Sequence, residues 1–314
     1  MRVVHKGVDI TEYISSITWS GSRAEVARKL ELAVVNAPLD KNITPPQMGL
    51  ADPIYLFDED NKELFRGFIT DREASSGTGT VSYTAYDLLF YTLKSNATYN
   101  FSGKTAETIT KMVCTDLQIP VGEIASTGLS QKLIVQNKSI YEIIMMAYTQ
   151  AYQKSGKKYH VVAEKGLLCV KEMGKKSCEI EFTEDTNITS SNYKESLQNM
   201  VNKVRIYDGK GNPAGVVQSG DTKYGIFQQV YTKEEGKDPT TTAKSMLKGV
   251  EKTFTLECLN YNEAVTGSGA IIRDTATGLS GLVWIDSDAH TWQNGVATMQ
   301  LTVTLKQMMD TKEG

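Results

Sequence analysis

Ser102-Gly103-Lys104-Thr105 stands just before a helical pattern and has the residue types of a phosphate loop, in which backbone amides and Lys cradle phosphates while Thr holds magnesium. Such a loop needs a glycine six residues before its lysine, and that position is Thr98. The stretch therefore reads as a helix start, with Ser102 or Thr105 capping, Gly103 bending the chain and Lys104 in solvent. Asp58-x-Asp60 opens like a calcium loop, but Lys62, Glu63 and Ile69 stand where a ligand, a glycine and a bidentate Glu are required. Asp286, Asp288 and His290 are two residues apart, so a strand would turn all three to one face, as a metal needs. The competing reading places the two aspartates in a polar loop that enters a hairpin at Trp292.

His5, His160 and His290 are far apart, and neither a cysteine nor a Gly-x-Ser-x-Gly elbow supplies a nucleophile, so a hydrolytic triad has no support. Paired carboxylates for sugar cleavage depend on a separation of about 5 to 9.5 Å that a sequence does not contain. Tyr55, Phe57, Phe65, Phe68, Tyr83 and Tyr86 offer either a stacking platform or, at strand spacing, core and subunit contacts. The expectation is a chain with no catalytic residue, no cofactor and no metal.

Composition agrees. The 314 residues carry 34 Lys and Arg against 37 Asp and Glu, a balance of −3 that leaves no excess of cations for a run of phosphates. Specific nucleic-acid binding is not expected. The apolar fraction of 40% is that of a folded protein, and the length suggests two or three domains. The start, Met1-Arg2-Val3-Val4-His5-Lys6-Gly7, lacks the apolar stretch of a signal peptide. The longest apolar run, Ile143 to Tyr148, is far shorter than the roughly 20 residues of a membrane helix, so no membrane insertion is expected. Cys114, Cys169, Cys178 and Cys258 show no C-x-x-C spacing and read as reduced core thiols, with a Cys169–Cys178 bridge across a turn as the alternative.

The elements behind these residues fall into three blocks. Residues 1–97 alternate with period two: Leu30, Leu32 and Val34 share a face, as do Val81, Tyr83 and Ala85, and Asp58-Glu59-Asp60-Asn61 and Ser75-Ser76-Gly77-Thr78-Gly79 form the reversals. Residues 98–180 switch to helical spacing, with one helix over Thr105 to Leu117 before Pro120. A second helix opens at the capping box Ser139-Ile140-Tyr141-Glu142 and ends at Gly156. A hairpin turning at Glu164-Lys165-Gly166 packs on them. Residues 181–314 return to period two. Asp208 to Asn212 is a turn, and Thr240 to Lys252 reads as a short helical insertion carrying Ala243, Met246, Leu247 and Val250. After the Asn294-Gly295 turn, a last strand turns Ala297, Met299, Leu301, Val303 and Leu305 inward. The fold class is α+β, predominantly antiparallel β, with two β domains flanking a small α/β domain.

Several of these stretches resemble a known family. Val8-Asp9-Ile10-Thr11, Asp52-Pro53-Ile54-Tyr55-Leu56, Leu64-Phe65-Arg66-Gly67-Phe68-Ile69, Ala85-Tyr86-Asp87-Leu88-Leu89-Phe90, Ser139 to Ile144 and His290 to Leu301 are similar, in this order, to the XkdQ/YqbQ tail proteins of phage-like particles. The resemblance spans nearly the whole chain. It implies two tail-tube-like β-barrels and a baseplate hub of a contractile tail, phage or R-type bacteriocin, in which a homotrimer joins the tail tube to the central spike. The implied partners are sister copies, tail tube protein, spike, baseplate wedge and tape-measure proteins, and the implied place is the virion or tail-like particle, assembled in the bacterial cytoplasm. A cell-wall-degrading tail enzyme and a tube or receptor-binding component are the rival readings. Exposed crossing loops supply the expected contact residues: Asp40, Lys41, Asn42, Ile43, Pro45, Pro46, Gln47 and Met48 in one, Ser75, Ser76, Gly77, Thr78 and Gly79 in the other.

Overall fold

A computed structural model describes residues 1–312 apart from 38, 39, 41, 43, 76, 78, 175, 176, 221 and 235–237. The chain forms two compact units, one of residues Met1–Ser191 and Leu256–Gly314, the other of Asn192–Thr255.

The larger unit is built on one mostly antiparallel, curled sheet that recruits strands from both ends of the chain. Its first block runs in the order Ile14–Ser22, Lys29–Val35, Thr80–Tyr86, Glu63–Ala74, Pro53–Phe57 and Arg2–His5, with the short Val8–Asp9 at the rim. The alternation read from the sequence holds: Leu30, Leu32, Val34, Val81, Tyr83 and Ala85 are all buried in one core with Trp19, Ile54, Leu56 and Phe65. The Asp58 turn is closed by its own carboxylate, which accepts the amides of Asp60 at 3.0 Å and Lys62 at 2.8 Å. It is an Asx turn, not a cation loop.

The sheet continues from Ile14–Ser22 into Leu279–Gln293 and then Val296–Thr304. Ser16 to Ser22 pair antiparallel with Ser287 to Gln293, so the two β blocks share one hydrogen-bonded ladder across a seam. The 15-residue strand Leu279–Gln293 reaches past this seam to pair also with Gly269–Asp274. Asp286, Asp288 and His290 therefore sit in a long strand, not in the loop offered as their alternative. Asn294 and Gly295, both at positive φ, make the expected tight turn. Met299, Leu301 and Val303 point inward as expected, but Leu305 is 59% exposed. The strand ends at Thr304, whose hydroxyl donates to the Lys306 carbonyl and turns the chain away.

The middle of the chain packs around the helix Ile140–Ser155, ten of whose sixteen residues are buried. The capping box forms in full: Ser139 Oγ accepts from the Glu142 amide at 3.2 Å while Glu142 accepts from the Ser139 amide at 3.0 Å. Gly156 closes the helix at φ 73°, a left-handed conformation that a side chain would oppose. Ala106–Asp116, capped by Thr105, lies against it, so the phosphate-loop look-alike is a helix start in which Ser102-Gly103-Lys104 completes the strand Asn96–Lys104. The hairpin Tyr159–Glu164 and Leu167–Glu172 gains Val121–Ile124 as a parallel third strand. Cys114, Cys169 and Cys258 are buried free thiols, so the Cys169–Cys178 bridge does not form. Burial pushes the Cys114 and Cys258 thiols up to about 12.

The smaller unit has a three-stranded sheet with Lys203–Tyr207 in the centre, antiparallel to Pro213–Gln218 and parallel to Gln228–Thr232. Val204, Ile206 and Tyr231 on one face pack against Ala243 of a helix that spans only Pro239–Ser245, capped by Asp238. The expected helix over Thr240 to Lys252 is thus cut short. Lys248 is captured by backbone hydrogen bonds to Val201, at 2.8 and 2.9 Å, and strand pairing resumes at Glu251.

Candidate functional site

The seam holds a dense, buried polar constellation. Leu279–Gln293 delivers Asp288 and His290, both fully buried, and the loop before Lys29–Val35 delivers Arg28. Arg28 clamps Asp288 with both terminal nitrogens, Nη1 to Oδ1 at 3.0 Å and Nη2 to Oδ2 at 2.5 Å, the forked geometry that guanidinium and carboxylate share. Thr266 brings its amide and its hydroxyl to Asp288 Oδ1, each at 2.6 Å. His290 Nε2 lies 3.3 Å from Asp288 Oδ2, and its Nδ1 lies 2.7 Å from Asn260 Oδ1.

Aromatic rings roof the cluster. The Arg28 guanidinium lies 4.0 Å from the centre of the Trp19 ring, which sits 5.0 Å from His290. Gly21 makes the approach possible, because a Cβ there would lie 2.5 Å from Arg28 Nη1. Burial opposes ionisation of Asp288, but the Arg28 charge and the donors around it outweigh that cost and hold its carboxyl well below the usual range. Two residues earlier, Asp286 sits in a β-bulge between Ile285 and Ser287 that breaks the simple alternation expected of the three residues, and it pairs with Arg23 at 2.5 Å.

This occupancy decides what the residues can do. The carboxylates of Asp286 and Asp288 already hold guanidinium cations, and among the described residues no group of three His, Cys, Asp or Glu side chains is placed to hold a metal. Asp288 Oδ1 accepts from Arg28 and twice from Thr266, Oδ2 accepts from Arg28, and the carboxyl is held well below its usual range, which makes it a poor general base. The adjoining cavity, lined by Arg23, Arg28, Tyr141, Met145 and Asp286, has about 100 Å³, against roughly 300 Å³ or more for sites that enclose drug-sized ligands. The constellation is a joint: it ties strands about 260 residues apart in sequence through buried charge. Sequence reasoning found Asp286, Asp288 and His290 but missed Arg23, Arg28, Thr266 and Asn260, which carry no local motif. Two arginines in the polar stretch after the Trp19 strand were the available signal.

The expected contact loops are placed differently from one another. Asp40, Asn42 and Gln47 are exposed, Pro45 and Pro46 are half-buried, and Met48 is buried in the first β core with 5% exposure. Ser75, Gly77 and Gly79 are exposed, while Lys41, Ile43, Ser76 and Thr78 lie outside the described residues. The Asn36 amide donates to the Gly79 carbonyl at 2.8 Å, so the two loops adjoin at one end of the sheet. Beside them a crevice of about 260 Å³ is lined by Asp40, Pro45, Pro46 and Gln47 with Arg72 and Tyr83. The aromatic set divides as well: Phe65 and Tyr83 are core, and Tyr55, Phe57, Phe68 and Tyr86 are half-buried.

Comparison with known proteins places this architecture. The profile of the YqbQ-like family matches residues 17–304, which include both sides of the seam and the whole middle block. The chain belongs to the YqbQ-like family. Two Bacillus subtilis proteins are similar over 94% of this chain: the uncharacterized protein YqbQ, 27% identical with 94% of its length covered, and the phage-like element PBSX protein XkdQ, 28% identical with 93% covered. Among solved structures, the 43 kDa tail protein of prophage MuSo2 from Shewanella oneidensis is similar over 96% of this chain and 97% of its own, with TM-score 0.73 at 13% identity. A type VI secretion component of E. coli, itself described as structurally similar to the T4 phage tail proteins gp27 and gp5, covers 100% of this chain with 79% of its own, TM-score 0.58 at 8% identity. This YqbQ-like chain thus has the fold of tail proteins, as the sequence resemblance implied.

Proposed function

We propose that this YqbQ-like protein is a structural hub of a phage tail or tail-like particle, a homotrimeric ring that joins the tail tube to the central spike. The observation that carries the reading is the seam: β blocks from opposite ends of the chain share one ladder, Ser16–Ser22 with Ser287–Gln293, locked by Arg28–Asp288. Two sheet modules fused rigidly in one chain are what a threefold ring needs to present six units to a sixfold tube. Family membership and the tail-protein fold support the same role. In this reading segments 1–97 and 181–314 supply the two tube-like modules and 98–180 braces them. The adjoining loops that hold Asp40 to Met48 and Ser75 to Gly79 meet partner proteins, namely tube, spike, wedge or tape measure, and the ring lumen is neutral to acidic, letting a negatively charged polymer pass.

The test is particle assembly. A strain lacking this gene is expected to produce tubes or tails without an organised baseplate, and labelled antibody against the chain is expected to mark the tail tip by electron microscopy. Labelling along the tube or at side fibres, or intact baseplates in the deletion strain, refutes the proposal. Turbidity of purified peptidoglycan incubated with the protein is expected to stay constant; clearing would transfer the reading to the lytic-enzyme class.

A further inference from the structure

We infer that the open face of the three-stranded sheet in the smaller unit is a contact surface for a second copy of this chain, seated on that copy's acidic larger unit. The inference rests on the hub reading and goes beyond it by naming the surface through which copies meet.

The argument begins with strand parity. In Lys203–Tyr207 the buried positions Val204 and Ile206 face the helix Pro239–Ser245, so Lys203, Arg205 and Tyr207 face the other way. Arg205 is paired in register with Val216 on one neighbouring strand and Val230 on the other, giving a continuous row Val216–Arg205–Val230 across the uncovered face. The two valines are 56% and 57% exposed, and Arg205 is exposed. A solvated sheet face is expected to carry polar side chains at such positions. The adjacent row obeys that rule with Gln218, Lys203 and Gln228, whereas the central one does not. Ile226 and Tyr224, 51% and 41% exposed, extend the apolar character into the segment that leads to the third strand. Single exposed apolar residues mean little, but a row spanning three strands marks a surface that is covered in the working state.

Arg205 gives that surface its sign. The chain has seven arginines. Arg23, Arg28, Arg66 and Arg273 are ion-paired, Arg2 lies over the Phe57 ring, and Arg72 donates to the Tyr83 hydroxyl. Arg205 has no ion-pair, hydrogen-bond or ring partner among the described residues. An unpartnered arginine set between exposed valines is the composition of an interface anchor awaiting a carboxylate.

Charge identifies the occupant. Residues 192–255 hold ten Lys and Arg against seven Asp and Glu, +3, while the rest of the chain holds 24 against 30, −6. A basic small unit meeting the acidic large unit of the next copy is a head-to-tail contact, and such contacts close into rings when the rotation permits.

Sedimentation velocity of the full-length protein, from dilute to concentrated solution, tests the inference. Wild type is expected to self-associate, with association weakened by high salt. Arg205→Glu and the double substitution Val216→Ser/Val230→Ser are each expected to weaken association about tenfold or more with unchanged circular dichroism, and Arg205→Glu is expected to lose most of the salt dependence. A wild type that stays monomeric, or associates equally with both variants and at every salt concentration, overturns the assignment of this surface. Tail-tip labelling is independent of that result and judges the hub reading by itself.

Discussion

Removing both partners of the Arg28–Asp288 pair should destabilise the larger unit far less than the sum of the two single removals. Asp288 has no exposed side-chain surface and Arg28 retains 20%. Breaking a buried ion pair by deleting one partner costs about 3–5 kcal/mol, much of it the desolvation of the charge left behind. Arg28→Met strands the anion, which keeps only Thr266 and His290, so it belongs near the upper end, at about 4 kcal/mol. Asp288→Asn strands a cation that still reaches water, and the amide keeps an acceptor for Thr266, giving about 3 kcal/mol. The double variant leaves no stranded charge and should cost about 4–5 kcal/mol rather than about 7, a coupling energy of about 2–3 kcal/mol. Guanidinium denaturation followed by tryptophan fluorescence suits the measurement, because Trp19, Trp284 and Trp292 all belong to the larger unit. Additive single costs, within about 0.5 kcal/mol, would refute the view that buried charge holds the seam.

Asp87 is buried and accepts amides from Arg28 and Leu89, and burial pushes its carboxyl from 3.8 up to about 7. The folded state therefore holds a proton that the unfolded chain releases, so stability is expected to fall as pH rises from about 4 to 7, by about 3–4 kcal/mol, and Asp87→Asn should flatten that slope in pH-dependent denaturation. Asp288 works in the opposite sense: its carboxyl is depressed in the fold, so its contribution is complete above about pH 4 and is lost on further acidification. Met48→Ala should cost about 2–4 kcal/mol through a cavity in the first β core, measured by thermal melting, where a truly exposed loop residue would cost almost nothing. Cys114, Cys169 and Cys258 should resist thiol-modifying reagent in the native protein and react after denaturation, as read by mass spectrometry.

Local chemistry made much of this fold legible. The capping box at Ser139, the Asn294-Gly295 turn and the alternation around Leu30 and Val81 are decided by neighbours a few residues away, and each occurs where the pattern placed it. Failures share a cause in distant partners. Thr240 to Lys252 has a helical spacing, yet the Val201 backbone captures Lys248 and ends the helix early. Met48 sits among prolines and polar residues that read as an exposed tip, but the first β sheet offers it a core position. Asp286, Asp288 and His290 have metal-like spacing, and nothing near them announces that Arg23 and Arg28 arrive from the other end of the chain to neutralise the carboxylates.

The seam also dictates an order of events during synthesis. Ile14–Ser22 leaves the ribosome early, but its ladder partner, Ser287–Gln293, is made some 270 residues later. Until then one flank of the opening sheet is a bare row of amides and carbonyls, the kind of edge that pairs with whatever strand is nearby. The middle block, whose core is drawn mainly from residues 88–170, has time to form first. Premature termination upstream of residue 279 should then yield chains that clump rather than chains that are merely short.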